Sequence, residues 1–152
     1  MTPRPSMRLE KHVEPIPILY IDDDAADATV LEQTLAGSVV NPVISFTRAA
    51  DLYDYLDMHE GPFIILVDLV LFHQGPDVIG GGYEILERLR RRPDINDTRS
   101  PILAVTATLP DPDLIERVKK TGADAFIHKP VRSDDLVTAI GRPGWFRVEL
   151  SR

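Results

Sequence analysis

Six residues stand where short apolar runs stop, and their side chains suit one another chemically. IPILYI (Ile16–Ile21) ends in Asp22, Asp23 and Asp24; FIILV (Phe63–Val67) ends in Asp68; ILAV (Ile102–Val105) ends in Thr106; AFIH (Ala125–His128) runs into Lys129. Carboxylates gathered at one place repel one another, and such a cluster is tolerable when protons or a cation compensate. Hard oxygen ligands with room for water suit Mg2+ best. Calcium fits less well, because the EF-hand spacing and its closing Glu are missing. A lysine and a threonine hydroxyl nearby add an electrophilic side that can hold phosphate oxygens. Each residue also has a plainer reading. A lone strand-end Asp is commonly a turn or cap residue, and Asp24 is placed to cap the helix that follows. Thr106 alone is an ordinary β-former, and Lys129 an exposed strand-end lysine. The complete complementary set at four strand ends favours the chemical reading.

The elements that must position these residues follow from periodicity. Short apolar runs read as strands buried on both faces, the kind found in parallel sheets. After the three aspartates, Ala28, Leu31 and Leu35 recur at helical spacing, and Gly37 is placed to end that helix. Val43–Phe46 reads as a weaker second strand. Thr47 is expected to cap a second helix carrying Leu52, Tyr55, Leu56 and His59 on or near one face, broken by Gly61-Pro62. The segment LVLFHQGPDVIGGG holds four of the nine glycines (Gly75, Gly80, Gly81, Gly82) and Pro76, so it reads as a long loop. Tyr83–Arg92 reads as a third helix with Ile85, Leu86 and Leu89 inward, stopped by Pro93. Asp113–Thr121 reads as a fourth with Leu114, Ile115 and Val118 inward, ended by Gly122. Ser133 is expected to cap a last helix, DDLVTAI, cut short by Gly141 and Pro143. Strand and helix alternate five times, which predicts an α/β fold, (βα)5, with a doubly wound parallel five-stranded sheet. Right-handed crossovers then bring the strand C-termini to one edge, where open α/β sheets bind ligands.

Composition narrows the function classes. The chain has 152 residues, 43% hydrophobic and 27% charged, enough for a core without staples. No cysteine is present, which excludes disulfides, thiol nucleophiles and Cys-based metal centres. Net charge is −7, so no nucleic-acid partner is expected. Arg88, Arg90, Arg91 and Arg92 resemble a basic patch, but cations in a helix's last turn favour its dipole and are read as structural. No apolar run approaches the roughly 18 residues of a membrane span, and the N-terminus lacks a signal-peptide core. No membrane partner is expected, and the cytoplasm is the default location. Residues 1–15 form a proline-rich extended leader in this reading, 16–140 the folded domain and 141–152 a tail.

ILYIDDD, FIILVDLVL, PILAVTA and GADAFIHKP together resemble the receiver domains of two-component response regulators, over about residues 16–140. The resemblance implies a flavodoxin-like or CheY-like sheet in the strand order 2-1-3-4-5. It makes Asp22 and Asp23 the acidic pair, Asp68 the phosphoacceptor, Thr106 the switch hydroxyl, Lys129 the invariant lysine and Phe126 the aromatic switch residue. It further implies Mg2+ held by Asp23, Asp68, Asp22 through water, and the backbone carbonyl of Val70. The implied partner is a histidine kinase or a histidine phosphotransfer protein. Val70 and Thr108 occupy the positions that tune phosphoryl lifetime in the family. Neither carries a carboxylate or amide, so slow self-dephosphorylation is expected.

The chain also departs from the family. The loop after Asp68 is several residues longer than usual, the fourth residue past the acceptor is Phe72 in place of the common Pro, and His73 and Asp77 lie in the insertion. It reads as a tolerated surface loop, with kinase contact or water gating as the sharper alternative. Only twelve residues follow Ile140, so the expectation is a stand-alone regulator that signals by phosphorylation-dependent protein binding. WFRVEL (145–150) either packs on its own domain or serves as an arm of a homodimer. Two other functions stay open here: a pseudo-receiver that binds partners without phosphotransfer, and a haloacid-dehalogenase-type phosphatase using Asp22.

Overall fold

The computed structural model describes residues 15–69, 81–107 and 109–140. In chain order the elements are β1 (Ile18–Ile21), α1 (Ala25–Ala36), β2 (Val43–Phe46), α2 (Ala49–Met58), β3 (Ile64–Asp68), α3 (Gly82–Arg90), α4 (Pro93–Thr98), β4 (Ile102–Thr106), α5 (Pro112–Lys120), β5 (Ala125–His128) and α6 (Ser133–Ile140). The five strands form one parallel sheet in the order β2-β1-β3-β4-β5, as expected.

Strand side chains alternate between the two sheet faces, and each face has its own core. Ile18, Tyr20, Ile64, Leu66, Leu103 and Val105 pack with Ala28, Leu31 and Leu35 of α1 and Leu136 of α6. Leu19, Ile21, Ile65, Val67, Ile102 and Ala104 pack with Leu52 and Leu56 of α2 and Leu86 and Leu89 of α3. β3 and β4 are buried along their whole lengths, which is why their sequences run apolar without alternation.

Four local expectations are corrected. Arg48, not Thr47, precedes α2, and no side chain caps that helix. Pro93 does not merely stop the third helix; it opens α4, where the first helical position tolerates the missing N–H and the fixed φ. Ser133 is the first residue of α6, and Asp135 accepts a hydrogen bond from the Arg132 N–H in front of it. On α5 only Val118 is buried, while Leu114 and Ile115 are half-exposed.

Each of the four arginines at the end of α3 takes part in an ion pair. Arg88 pairs with Glu84 and Arg91 with Glu87, each one helical turn back. Arg92 pairs with Asp57 and Asp94. Arg90 reaches furthest: its Nε donates to the Gly122 carbonyl at 2.7 Å and a terminal nitrogen to Asp124 Oδ2 at 2.9 Å. The same Asp124 oxygen accepts from the Ile102 N–H at 2.8 Å, so one arginine joins α3 to the starts of β4 and β5. The leader through residue 14, the centre of the long loop (70–80) and the tail (141–152) lie outside the described residues.

Candidate functional site

Register explains how residues far apart in sequence meet. Ile21 pairs with Val67, so Asp22 and Asp68 leave neighbouring strands at the same level. Asp68 itself pairs with Val105 and Thr106 pairs with His128, which puts Thr106 and Lys129 one step further out. The Lys129 N–H donates to the Thr106 carbonyl at 2.8 Å, tying the lysine's backbone to the threonine's. Lys129 then turns back over the strand ends. Its ammonium lies 3.1 Å from Asp22 Oδ2, 3.1 Å from Asp68 Oδ2 and 3.5 Å from Asp27 Oδ2.

The burial of the carboxylates gives this cluster its chemical character. Asp22 is 1% exposed and Asp68 5%, as buried as the core leucines beneath them. Isolated carboxylates at such depth are strongly disfavoured. Burial pushes Asp22 toward protonation, but the Tyr20 hydroxyl, the Asp24 N–H and Lys129 outweigh it and hold its carboxyl below the ordinary carboxylate range. For Lys129, burial favours the neutral amine, and hydrogen bonds and charge from Asp22 and Asp68 overcome it, raising the ammonium's pKa.

The three consecutive aspartates divide their work. Asp22 faces the cluster. Asp23 is half-buried. Asp24 caps α1, its Oδ1 accepting from the N–H groups of Ala26 at 2.9 Å and Asp27 at 3.1 Å. That engagement with the helix end takes Asp24 away from the acid role that an Asp22-based phosphatase requires.

Two contributors were absent from the sequence expectations. Tyr20 donates a 2.6 Å hydrogen bond to Asp22 Oδ2. Burial first, and then the hydrogen bond to Asp22 and its charge, push the phenol far above its ordinary range. The period of a strand carried the signal, since residues 20 and 22 must share a face. Gly82 is the second. It opens α3 directly against the end of β3, its N–H 3.3 Å from the Leu69 carbonyl. A Cβ there would stand 2.1 Å from the Asp68 carbonyl oxygen and 2.5 Å from Leu69 Cα, so only glycine fits.

Thr106 is buried at the end of β4. Phe126 is half-buried on β5, level with Ala104 and packed on the core face that carries α2 and α3. Val70, Thr108 and the insertion residues Phe72, His73 and Asp77 lie outside the described residues. The chemistry of the donor set suits a hard divalent cation: Asp22 and Asp68 are buried carboxylates that share the Lys129 ammonium, and Asp23 follows Asp22 directly in the chain. Among the described residues, no three acidic or histidine side chains are grouped closely enough to hold a metal ion by themselves. No described helix is long and apolar enough to cross a membrane.

Comparison with known proteins bears on the fold and the family. The chain is 31% identical over 123 residues to response regulator Rre1 of Synechocystis, covering 81% of this chain and 49% of that protein. It is 28% identical over 126 residues to two-component response regulator ORR3 of rice, covering 81% of this chain and 87% of that one. It thus spans about half the length of the cyanobacterial relative. The chemotaxis protein CheY4 of Vibrio cholerae superposes with a TM-score of 0.66 at 20% identity, over 85% of this chain and 98% of that one. A receiver domain from Colwellia psychrerythraea gives 0.63 at 23% identity, over 83% and 95%. These two likenesses show a shared fold. The family model of the response regulator receiver domain matches residues 18–141, a span that takes in every strand and the whole acidic edge. With that match and the parallel five-stranded sheet beneath the cluster, the chain belongs to the response regulator receiver domains.

Proposed function

We propose that this receiver domain takes a phosphoryl group on Asp68 from the phosphohistidine of a histidine kinase or histidine phosphotransfer protein, and signals by phosphorylation-dependent protein binding in the cytoplasm. The observation that carries this reading is the Lys129 ammonium, set 3.1 Å from both the buried Asp68 and the buried Asp22 at the edge of the sheet. A core has no use for that arrangement, whereas an incoming dianionic phosphoryl group does.

In this mechanism an Asp68 oxygen attacks phosphorus, the P–O bond forms as the P–N bond to the donor imidazole breaks, and the imidazole departs with the electron pair. Lys129 follows the charge onto the acyl phosphate. Thr106 turns its hydroxyl to the new oxygens, and Phe126 moves inward behind it, a two-state element biased by added charge. Asp23, Asp68, Asp22 through water, and the Val70 carbonyl would hold Mg2+, whose chemistry is to neutralise charge on the transferring group. An apolar Val70 and Thr108 leave attacking water unassisted, which makes the aspartyl phosphate long-lived. A homodimer through the last strands and helices and the tail is a second output consistent with this reading.

The test is incubation with Mg2+ and acetyl phosphate, followed by intact mass. One phosphoryl group should be gained, and lost again in Asp68→Asn or under chelator. Failure of the unmodified chain to take phosphate from both acetyl phosphate and phosphorylated kinases would favour a pseudo-receiver. Uptake that survives in Asp68→Asn would point to a different nucleophile.

A further inference from the structure

We propose that Tyr20 is a positioning residue of this site: its hydroxyl holds Asp22 so that Lys129 stays free to follow the phosphoryl group. The inference rests on the phosphoacceptor reading of Asp68.

The core face around Tyr20 is otherwise aliphatic. Ile18, Ile64, Leu66, Leu103 and Val105 line the sheet, and Tyr20 is the one aromatic among the described residues of that cluster. Packing therefore does not call for a phenol. The ring is 1% exposed, and a buried phenol requires a partner. Its hydroxyl has one, at 2.6 Å, on the oxygen that Lys129 also approaches. A carboxylate oxygen offers two lone-pair sites. On Asp22 Oδ2 both are taken, one by Tyr20 and one by Lys129. Oδ1 accepts the Asp24 N–H at 3.0 Å and keeps one site, enough for a metal-bound water.

The distances rank the two claims on Oδ2. The phenol's bond is as short as charge-assisted O–H···O⁻ bonds are, about 2.5–2.7 Å. Those of the ammonium, 3.1 Å to each aspartate, are longer than the about 2.7–2.9 Å usual for N⁺–H···O⁻. Tyr20 thus has the tight hold and Lys129 two loose ones. When Lys129 shifts onto an acyl phosphate at Asp68, Tyr20 and the Asp24 N–H still satisfy the buried Asp22. Without the hydroxyl, that shift would strip Asp22 Oδ2 of its last donor, so the ammonium would stay on Asp22.

Phosphoryl uptake from acetyl phosphate at saturating Mg2+ tests this in four chains: unmodified, Tyr20→Phe, Asp22→Asn and the double variant. The maximal rate should fall at least fivefold in Tyr20→Phe with little change in half-saturating donor. In the Asp22→Asn background the same substitution should have no effect. An unchanged rate in Tyr20→Phe, or an equal drop in both backgrounds, overturns the role of the tyrosine alone. No uptake by the unmodified chain, from acetyl phosphate or from a phosphorylated kinase, overturns the phosphoacceptor reading and the tyrosine's role with it. If Tyr20→Phe does not fold, the structure of the unmodified chain with Mg2+ and beryllofluoride decides. Lys129 should have left Asp22 while the Tyr20 hydroxyl remains on it; a lysine still bound to Asp22, or a hydroxyl turned away, refutes the proposal.

Discussion

Gly82 lies against Asp68 so closely that a single methyl group on it would sit 2.1 Å from the aspartate's carbonyl oxygen. The obstacle is backbone, so it cannot rotate away as a side-chain tip would. Gly82→Ala must therefore push α3 off β3, and overpacking of this kind costs about 1–3 kcal/mol. The urea midpoint should fall accordingly, with phosphoryl uptake slowed because the displaced backbone carries the proposed acceptor, Asp68. An unchanged midpoint would show that the helix start can yield.

Removing the shared cation should destabilise the fold and make it responsive to metal. Lys129→Met leaves Asp22 and Asp68 buried and facing each other. Breaking a fully buried pair costs about 3–5 kcal/mol; the lysine is 21% exposed, so a smaller loss, on the order of 1–3 kcal/mol, is expected after allowance for solvent. Phosphoryl uptake should be lost. Mg2+ should raise the melting temperature more in the variant than in the unmodified chain, because it would replace the missing charge. Equal shifts in the two proteins would mean that the metal does not answer to this charge imbalance.

Asp24→Ala separates structure from chemistry within the aspartate triplet. It removes the cap of α1 and should cost about 0.5–2 kcal/mol. Phosphoryl uptake, measured at a temperature where the variant is folded, should stay close to the unmodified rate. A tenfold drop in uptake would place Asp24 in the chemistry.

Stability should decline at both ends of the pH scale for reasons that can be assigned. Asp22 has a depressed pKa in the fold. Its contribution is complete above the unfolded value of about 3.9 and is lost as pH falls through the lower folded value. Lys129 has a raised pKa. Its contribution is complete below the unfolded value of about 10.4 and disappears as pH rises through the higher folded value. Urea titrations from pH 2 to 11 should thus show an acid limb that flattens in Asp22→Asn. An acid limb of unchanged slope in that variant would assign the loss to other carboxylates.

Much of this was legible in the chain. Val43–Phe46 and Ala125–His128 span the residues the sequence indicates, because apolar runs bounded by turn residues leave little choice of limits. The acidic edge was legible because Asp22, Asp68, Thr106 and Lys129 each follow such a run. α4 was not, because Pro93 breaks the pattern of α3 and yet suits the first turn of a new helix. Thr47 and Ser133 have good capping side chains, but neighbouring residues hold the boundary positions. Tyr20 was hidden by its setting: inside an apolar strand it reads as core, and only the two-residue period discloses that its hydroxyl aims at Asp22.

The two ends of the sheet are fastened by different means. At the starts of β4 and β5, Arg90 grips the Gly122 carbonyl and Asp124, which in turn holds the Ile102 N–H. At the finish of β5, Lys129 rests on carboxylates it can exchange. The backbone at both ends of the last strand is bonded to its neighbour, so only the Lys129 side chain at its finish is held by ion pairs alone. In the proposed mechanism a change of charge at Asp68 would thus act first on the Lys129 side chain, and because β5 is paired with β4 along its whole length, any backbone shift that follows would be shared by the two strands and not confined to one.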